Sequence, residues 1–450
     1  VELPVVKDCR DEDYVVMEVN KAMLELRRNG GGPVHINLIT TYSRDFSVKE
    51  LPHVKVMRRF QAWDELPVLP EGRIGIYVGS HTHFSEKQNR AIDRFCATYD
   101  AVVICDHTSG YYGKYKLLPT LVQLQSDITS PFPPLDLMVH IGEISAASFN
   151  DTIPAKEVWR VSEDGELRDP FKKLTTVFQM SEEMFFLHYG KDGCNRHVLI
   201  DECRELFGEI YEQIPELPFC NIWTAMQLSS RLPKGALFHM GVSNTRRCWN
   251  MFQLPESVES ACNVGCCGID GCVSTLVGAS LVNPDRLCYV VVGDLTFFYD
   301  LNSLGNHHIG TNLRVMLVNN GRGTEFRLGI HHCNVFGDDA DKYMAAAGHF
   351  GNKSPLLVKH YAEDLGFHYL SATTKEEFMT ALSNFTNPQL SDHSMILEVF
   401  TDSKDESEAL YLMSHIQSDA KGMVRSKLKD AVRNVAGEKG INAIKKILKK

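Results

Sequence analysis

Two apolar runs separated by a single crossover's length of chain constrain this 450-residue sequence more than any other feature. Residues 287–292 read LCYVVV and end in Gly293-Asp294; residues 313–318 read LRVMLV and end in Asn319-Asn320-Gly321. Strand, crossover and strand pack right-handed and parallel almost without exception. Neighbouring strands lie about 4.8 Å apart, so Asp294 and Asn320 are expected side by side at the carboxyl edge of a sheet. That edge is where open α/β folds bind ligands. A carboxylate, an amide oxygen and a glycine-flanked carbonyl form an oxygen-rich half-shell of the kind Mg²⁺ accepts when a phosphate supplies further ligands. Gly-Asp and Asn-Asn-Gly are each ordinary turn formers after a strand; it is their pairing at this spacing that points to a metal–diphosphate site.

The rest of the chain repeats the alternation. Residues 13–29 have helical spacing, with Val16, Val19, Met23 and Leu26 on one face, and Asn29-Gly30-Gly31-Gly32 closes them. PVHINL then reads as a buried strand. After a charged, proline-containing loop at 44–72, strands are expected at 74–78, 101–105 and 135–141, with an amphipathic helix at 86–98. A helix at 199–214 opens a further unit, with strands at 236–240, 287–292, 313–318, 367–370 and 395–400. Strands alternating with helices give parallel sheets, so the fold class is α/β, with successive doubly wound parallel-sheet domains. Residues 421–450 differ, with ten Lys and Arg against two acids and apolar residues at roughly helical spacing. They read as an amphipathic helix on the body of the protein, or as a contact for an anionic surface.

Composition excludes several classes. A net charge of −10 argues against bulk nucleic-acid binding, and no apolar run approaches a transmembrane length. The start, VELPVVKDCRDEDY, has neither the basic nor the apolar region of a signal peptide. The thirteen cysteines are scattered, several in apolar runs (Cys105, Cys220, Cys288), as expected of reduced, buried thiols in a cytosolic protein. Cys262, Cys266, Cys267 and Cys272 form no CxxC pair, and His307-His308 and His331-His332-Cys333 read as loop residues rather than metal ligands. GSHTH at 79–83 reads as structural. GCCGIDG at 265–271 lacks both the GxGxxG spacing and the later acid of a dinucleotide loop.

Three segments, GPVHINL, NVGCCGIDGCVST and GDLTFFYDLNSL with NNGRG, resemble the thiamine-diphosphate (ThDP) enzymes, most closely the menaquinone-pathway 2-succinyl-5-enolpyruvyl-6-hydroxy-3-cyclohexene-1-carboxylate (SEPHCHC) synthases and their relatives. The resemblance implies the ThDP-binding fold, divided here as a pyrimidine-domain remnant (1–45), a central α/β domain (46–198), a diphosphate- and Mg²⁺-binding domain (199–420) and the basic tail (421–450). It implies that Asp294, Asn320 and the main-chain carbonyl of Arg322 hold the metal. Thr296, with the backbone around Gly293, Leu295, Gly321 and Gly323, would face the diphosphate. Ile269, within Gly268-Ile269-Asp270, would wedge the bent coenzyme. Arg247, or its neighbour Arg246, would hold a substrate carboxylate; a second arginine of that family is replaced here by Val264.

The activity implied by this resemblance is that of a ThDP- and Mg²⁺-dependent carboligase or decarboxylase. It would act on a 2-oxo acid and an acceptor other than the menaquinone-pathway ones. It would be cytoplasmic and a homodimer or homotetramer. The glutamate that activates the coenzyme in such enzymes lies in the pyrimidine domain, so no catalytic residue is assigned. The chain is expected to be a fragment or processed product, inactive by itself. The alternative is a noncatalytic ThDP-fold subunit that binds a partner.

Overall fold

The computed structural model describes residues 1–42, 44, 47, 49–50, 54–128, 132–143, 153–265, 268–329, 331–342 and 354–418. The basic tail, Cys266 and Cys267 lie outside these residues.

The chain begins with β1 (Glu2–Leu3) and α1 (Cys9–Glu25), and β1 pairs in parallel with β2 (Asn37–Leu38). Asp8 caps α1 by accepting from the amides of Arg10 and Asp11. Two expectations fail here. PVHINL is not a buried strand: only two of its residues pair, and both are exposed. The helix does not dock through Val16, Val19, Met23 and Leu26; Met23 is 54% exposed. Its anchor is polar instead. Buried Asn20 donates to the Lys55 carbonyl at 2.9 Å and accepts from the Met57 amide at 2.8 Å, which turns the face carrying Ala22 inward.

The first large sheet holds β3 (Arg58–Gln61), β4 (Ile74–Val78), β5 (Val102–Ile104), β6 (Lys116–Leu117), β7 (Leu135–Ile141), β8 (Ala155–Val161) and β9 (Leu174–Gln179). Their spatial order is β3-β9-β8-β7-β4-β5-β6 and every pairing is parallel. Strand β4, IGIYV, is buried along its whole length, as a parallel strand covered on both faces must be. Around this sheet lie α2 (Glu86–Tyr99), α3 (Thr120–Leu124), α4 (Glu182–Tyr189) and α5 (Val198–Glu212). A reciprocal Ser85–Gln88 capping box starts α2. Helix α5, assigned from the sequence to the following unit, packs on α3 and β6.

The second sheet is built from β10 (Leu237–Met240), β11 (Glu259–Cys262), β12 (Cys288–Gly293), β13 (Leu313–Asn319), β14 (His368–Ala372) and β15 (Met395–Phe400). Its order is β11-β10-β12-β13-β15-β14, again all parallel. The helices are α6 (Asn221–Leu228), α7 (Asn244–Trp249), α8 (Cys272–Val282), α9 (Asp294–Asp300), α10 (Leu357–Asp364), α11 (Lys375–Phe385) and α12 (Ser403–Ser414). One apolar core runs continuously from the first sheet into the second. A smaller cluster beneath α8, β12 and β13 carries Val290, Val292, Phe297 and Leu317. With every strand parallel, all carboxyl ends of the second sheet meet on one edge, and each βα loop opens there.

Candidate metal–diphosphate site

Five such loops build the site. They follow β10 (into α7), β11 (into α8), β12 (into α9), β13, and β15 (into α12). The register pairs Gly293 with Val318, which sets Asp294 beside the Asn319-Asn320 turn. Asp294 is 2% exposed. Its Oδ2 accepts the Asn320 backbone N–H at 3.2 Å, and its Oδ1 accepts the Leu295 N–H at 2.7 Å. The Leu295 amide, expected to face a diphosphate, is thus engaged by the aspartate. Helix α9 starts at Asp294, and Thr296 is buried in its first turn.

Asn320 Oδ1 is buried and has no hydrogen-bond partner among the described residues. A buried acceptor left unmade costs about 1–3 kcal/mol. This oxygen therefore needs a cation or donor to complete it, and it stands next to a buried carboxylate. The Arg322 carbonyl accepts the Thr324 amide at 2.9 Å; a carbonyl oxygen carries two lone pairs. A Cβ added at Gly293 would meet nothing within 4 Å, so the loop between strand and helix leaves open space above the aspartate. Gly321 sits at φ 77°, in the left-handed region glycine tolerates, and donates its N–H to Asn319 Oδ1 at 3.1 Å. Gly323 is in the ordinary region, at φ −72°. An Asp, an Asn and a carbonyl suit a hard divalent cation, and the open glycine loop suits an anion bound to it. Among the described residues no cluster of three His, Cys, Asp or Glu side chains could hold a metal.

The loop after β11 reaches the same edge. Gly268, half-buried Ile269 and exposed Asp270 lead into Gly271, which starts α8 at φ 96°. The Ser274 amide donates to Asp300 Oδ2 at 2.7 Å, tying α8 to the end of α9. Val264 is buried.

Behind the Asn319-Asn320 turn lies a support that sequence reasoning missed. Glu398 on β15 is fully buried. It accepts from Asn319 Nδ2 at 2.7 Å and from the Tyr369 hydroxyl at 2.7 Å. Burial raises its pKa, helped by the nearby Asp294 charge and opposed by these two hydrogen bonds. Glu406, on α12, accepts from the Asn221 amide and the Thr401 hydroxyl, both at 2.9 Å. Burial pushes its pKa up to about 7. The available signal for Glu398 was its being the one charge within MILEVF.

The two candidate substrate arginines are both engaged by acids. Arg247 forms a bidentate pair with Glu325, at 2.7 and 3.0 Å. Buried Arg246 points at Asp106 of the first sheet, at 3.5 Å. Glu325, unlike Glu398, carries no signal in the sequence that marks it as a site residue.

Other motifs find local partners. His81 of GSHTH pairs with Glu182 at 3.2 Å and stacks on Phe84, and His83 stacks on Tyr112. The His307 and His308 rings meet at a tilt, with centroids 3.8 Å apart, and His331 Nδ1 accepts the Cys333 amide. Cys105, Cys220 and Cys288 are buried thiols. No helix among the described residues is long and apolar enough to cross a membrane.

Similarity to known proteins agrees with the motifs. The chain is 28% identical over 438 residues to the SEPHCHC synthase of Bacteroides thetaiotaomicron, covering 91% of this chain and 75% of that protein. It is 29% identical over 443 residues to that of Bacteroides fragilis, with the same coverage. A shorter match, 33% over 199 residues, joins it to the SEPHCHC synthase of Christiangramia forsetii, covering 44% of this chain. No protein-family model matches the chain. The chain is thus a relative of SEPHCHC synthases over some nine tenths of its length, as its three motif segments indicated.

Proposed function

We propose that this protein is a ThDP- and Mg²⁺-dependent carboligase or decarboxylase of the SEPHCHC-synthase type, acting on a 2-oxo acid. The observation that carries the proposal is the unpartnered Asn320 Oδ1 beside the Asp294 carboxylate. Asp294, Asn320 and the Arg322 carbonyl would hold the metal, and Thr296 with the open Gly293 loop would receive the diphosphate. Ile269 would give the coenzyme an apolar support, flanked by Gly268 and Asp270. Bound there, ThDP supplies the nucleophilic carbon that adds to a 2-oxo acid and allows loss of carbon dioxide.

The chain's own residues have simpler tasks. Asp294 fixes the Asn320 backbone. Glu398 and Gly321 hold the Asn319 side chain from either side. The small glycine loop keeps bulk away from the anion. These are positioning and electrostatic roles, which is what a protein contributes when a cofactor carries the chemistry.

The donor and acceptor are proposed to differ from those of the menaquinone pathway, because Val264 cannot pair with a carboxylate. No residue of this sequence is assigned the role of activating the coenzyme, so the 450-residue polypeptide alone is expected to bind without turnover. The working assembly is proposed to be a cytoplasmic homodimer or homotetramer. The noncatalytic alternative is disfavoured by the cost of keeping a buried, unsatisfied oxygen with no ligand to satisfy it. The test is consumption of a panel of 2-oxo acids with ThDP and Mg²⁺ supplied. Turnover by the isolated polypeptide would contradict the expected inactivity. Absence of any metal-dependent coenzyme binding would remove the proposal itself.

A further inference from the structure

Arg247 lies on α7, in the loop region after β10, and Glu325 follows the metal turn after β13. In the sheet, β10 and β13 flank β12 on either side. The ion pair therefore spans the carboxyl end of β12, the strand that delivers Gly293 and Asp294. Both oxygens of Glu325 are used: Oε1 accepts from one terminal guanidinium nitrogen at 2.7 Å, Oε2 from the other at 3.0 Å. Asn244 Oδ1 accepts a further, longer bond at 3.4 Å. Each partner keeps only about a quarter of its side chain exposed.

We propose that Glu325 is a specificity-determining residue: an internal carboxylate that occupies Arg247, so that the site takes an acceptor carrying no carboxylate of its own. A planar guanidinium binds one carboxylate in this two-pronged way. A substrate carboxylate could take that place only by breaking two charge-assisted hydrogen bonds, and would then face the displaced Glu325, a like charge in a partly desolvated setting. The other arginine is not a substitute, since Arg246 is buried and directed at Asp106. Arg247 and Arg246 are thus each paired with a carboxylate of the protein itself. This inference rests on the proposed coenzyme site and names the substrate class that site accepts.

The test is calorimetric titration of the coenzyme-free chain with succinate, a dicarboxylate probe. Wild type, Glu325→Ala, Glu325→Gln and the double variant Glu325→Ala/Arg247→Gln are compared, each first checked for an unchanged unfolding midpoint. Glu325→Ala is expected to bind succinate at least about tenfold more tightly than wild type, the size of a modest charge-assisted contact. Glu325→Gln, which keeps one acceptor without the charge, should gain less, and the double variant should lose the gain. Equal succinate affinity in wild type and Glu325→Ala overturns the proposal, as does a gain that survives in the double variant. Because no ThDP is added, the result reads Arg247 independently of whether the coenzyme reading holds.

Discussion

The backbone N–H of Asn320 donates to Oδ2 of Asp294 at 3.2 Å. This bond joins the ends of two adjacent parallel strands, and the Asn320 side-chain oxygen beside it is buried with no hydrogen-bond partner among the described residues. Ligand sites commonly carry such a local cost. Replacing Asn320 with alanine removes the orphan acceptor. We predict that Asn320→Ala is within about 1 kcal/mol of wild type, or more stable, in urea denaturation with chelator present. A loss above about 2 kcal/mol would show that the amide is satisfied in the free protein.

Glu398 is expected to hold the metal turn from behind. Glu398→Ala would strand the buried Asn319 Nδ2 and remove the partner of the half-buried Tyr369 hydroxyl, at a cost of about 2 kcal/mol or more. Tyr369→Phe removes one bond and should cost about 1 kcal/mol. A double-mutant cycle should show the two changes coupled. Additive losses would place Tyr369 outside the network.

Glu406 makes stability depend on pH. Its folded pKa, about 7, lies above the ordinary glutamate value because burial penalises the charge. The folded protein therefore holds a proton that the unfolded chain releases between about pH 4.3 and 7. Stability associated with this group is greatest below that window and falls as pH rises through it. Glu406→Gln should be close to neutral at pH 5 and stabilising at pH 8, by an amount on the order of 2 kcal/mol. Thermal unfolding of the two proteins at both pH values checks this, and an equal difference at the two pH values would refute it.

Much of the sheet architecture could be read from the chain because parallel strands covered on both faces leave long apolar runs. Ile74–Val78 and Leu135–Ile141 begin and end where those runs do. PVHINL misled for the same reason, since it is apolar but sits at the surface with a two-residue partner. Asp294 and Asn320 could be placed together because a single crossover separates them. The Arg247–Glu325 pair could not, because it joins residues 78 positions apart through two loops whose paths no local pattern dictates. Asn20 is a similar case: its partners Lys55 and Met57 follow a long loop, so nothing near it in sequence marks it as the anchor of α1.

The most direct measurement is calorimetric titration of the chain with ThDP, with and without Mg²⁺, on the wild type and on Asp294→Ala. Wild type should show heat that appears only with the metal, and Asp294→Ala should show none. Equal binding by both proteins, or binding by wild type that ignores Mg²⁺, would contradict the assignment of this sheet edge as the coenzyme site.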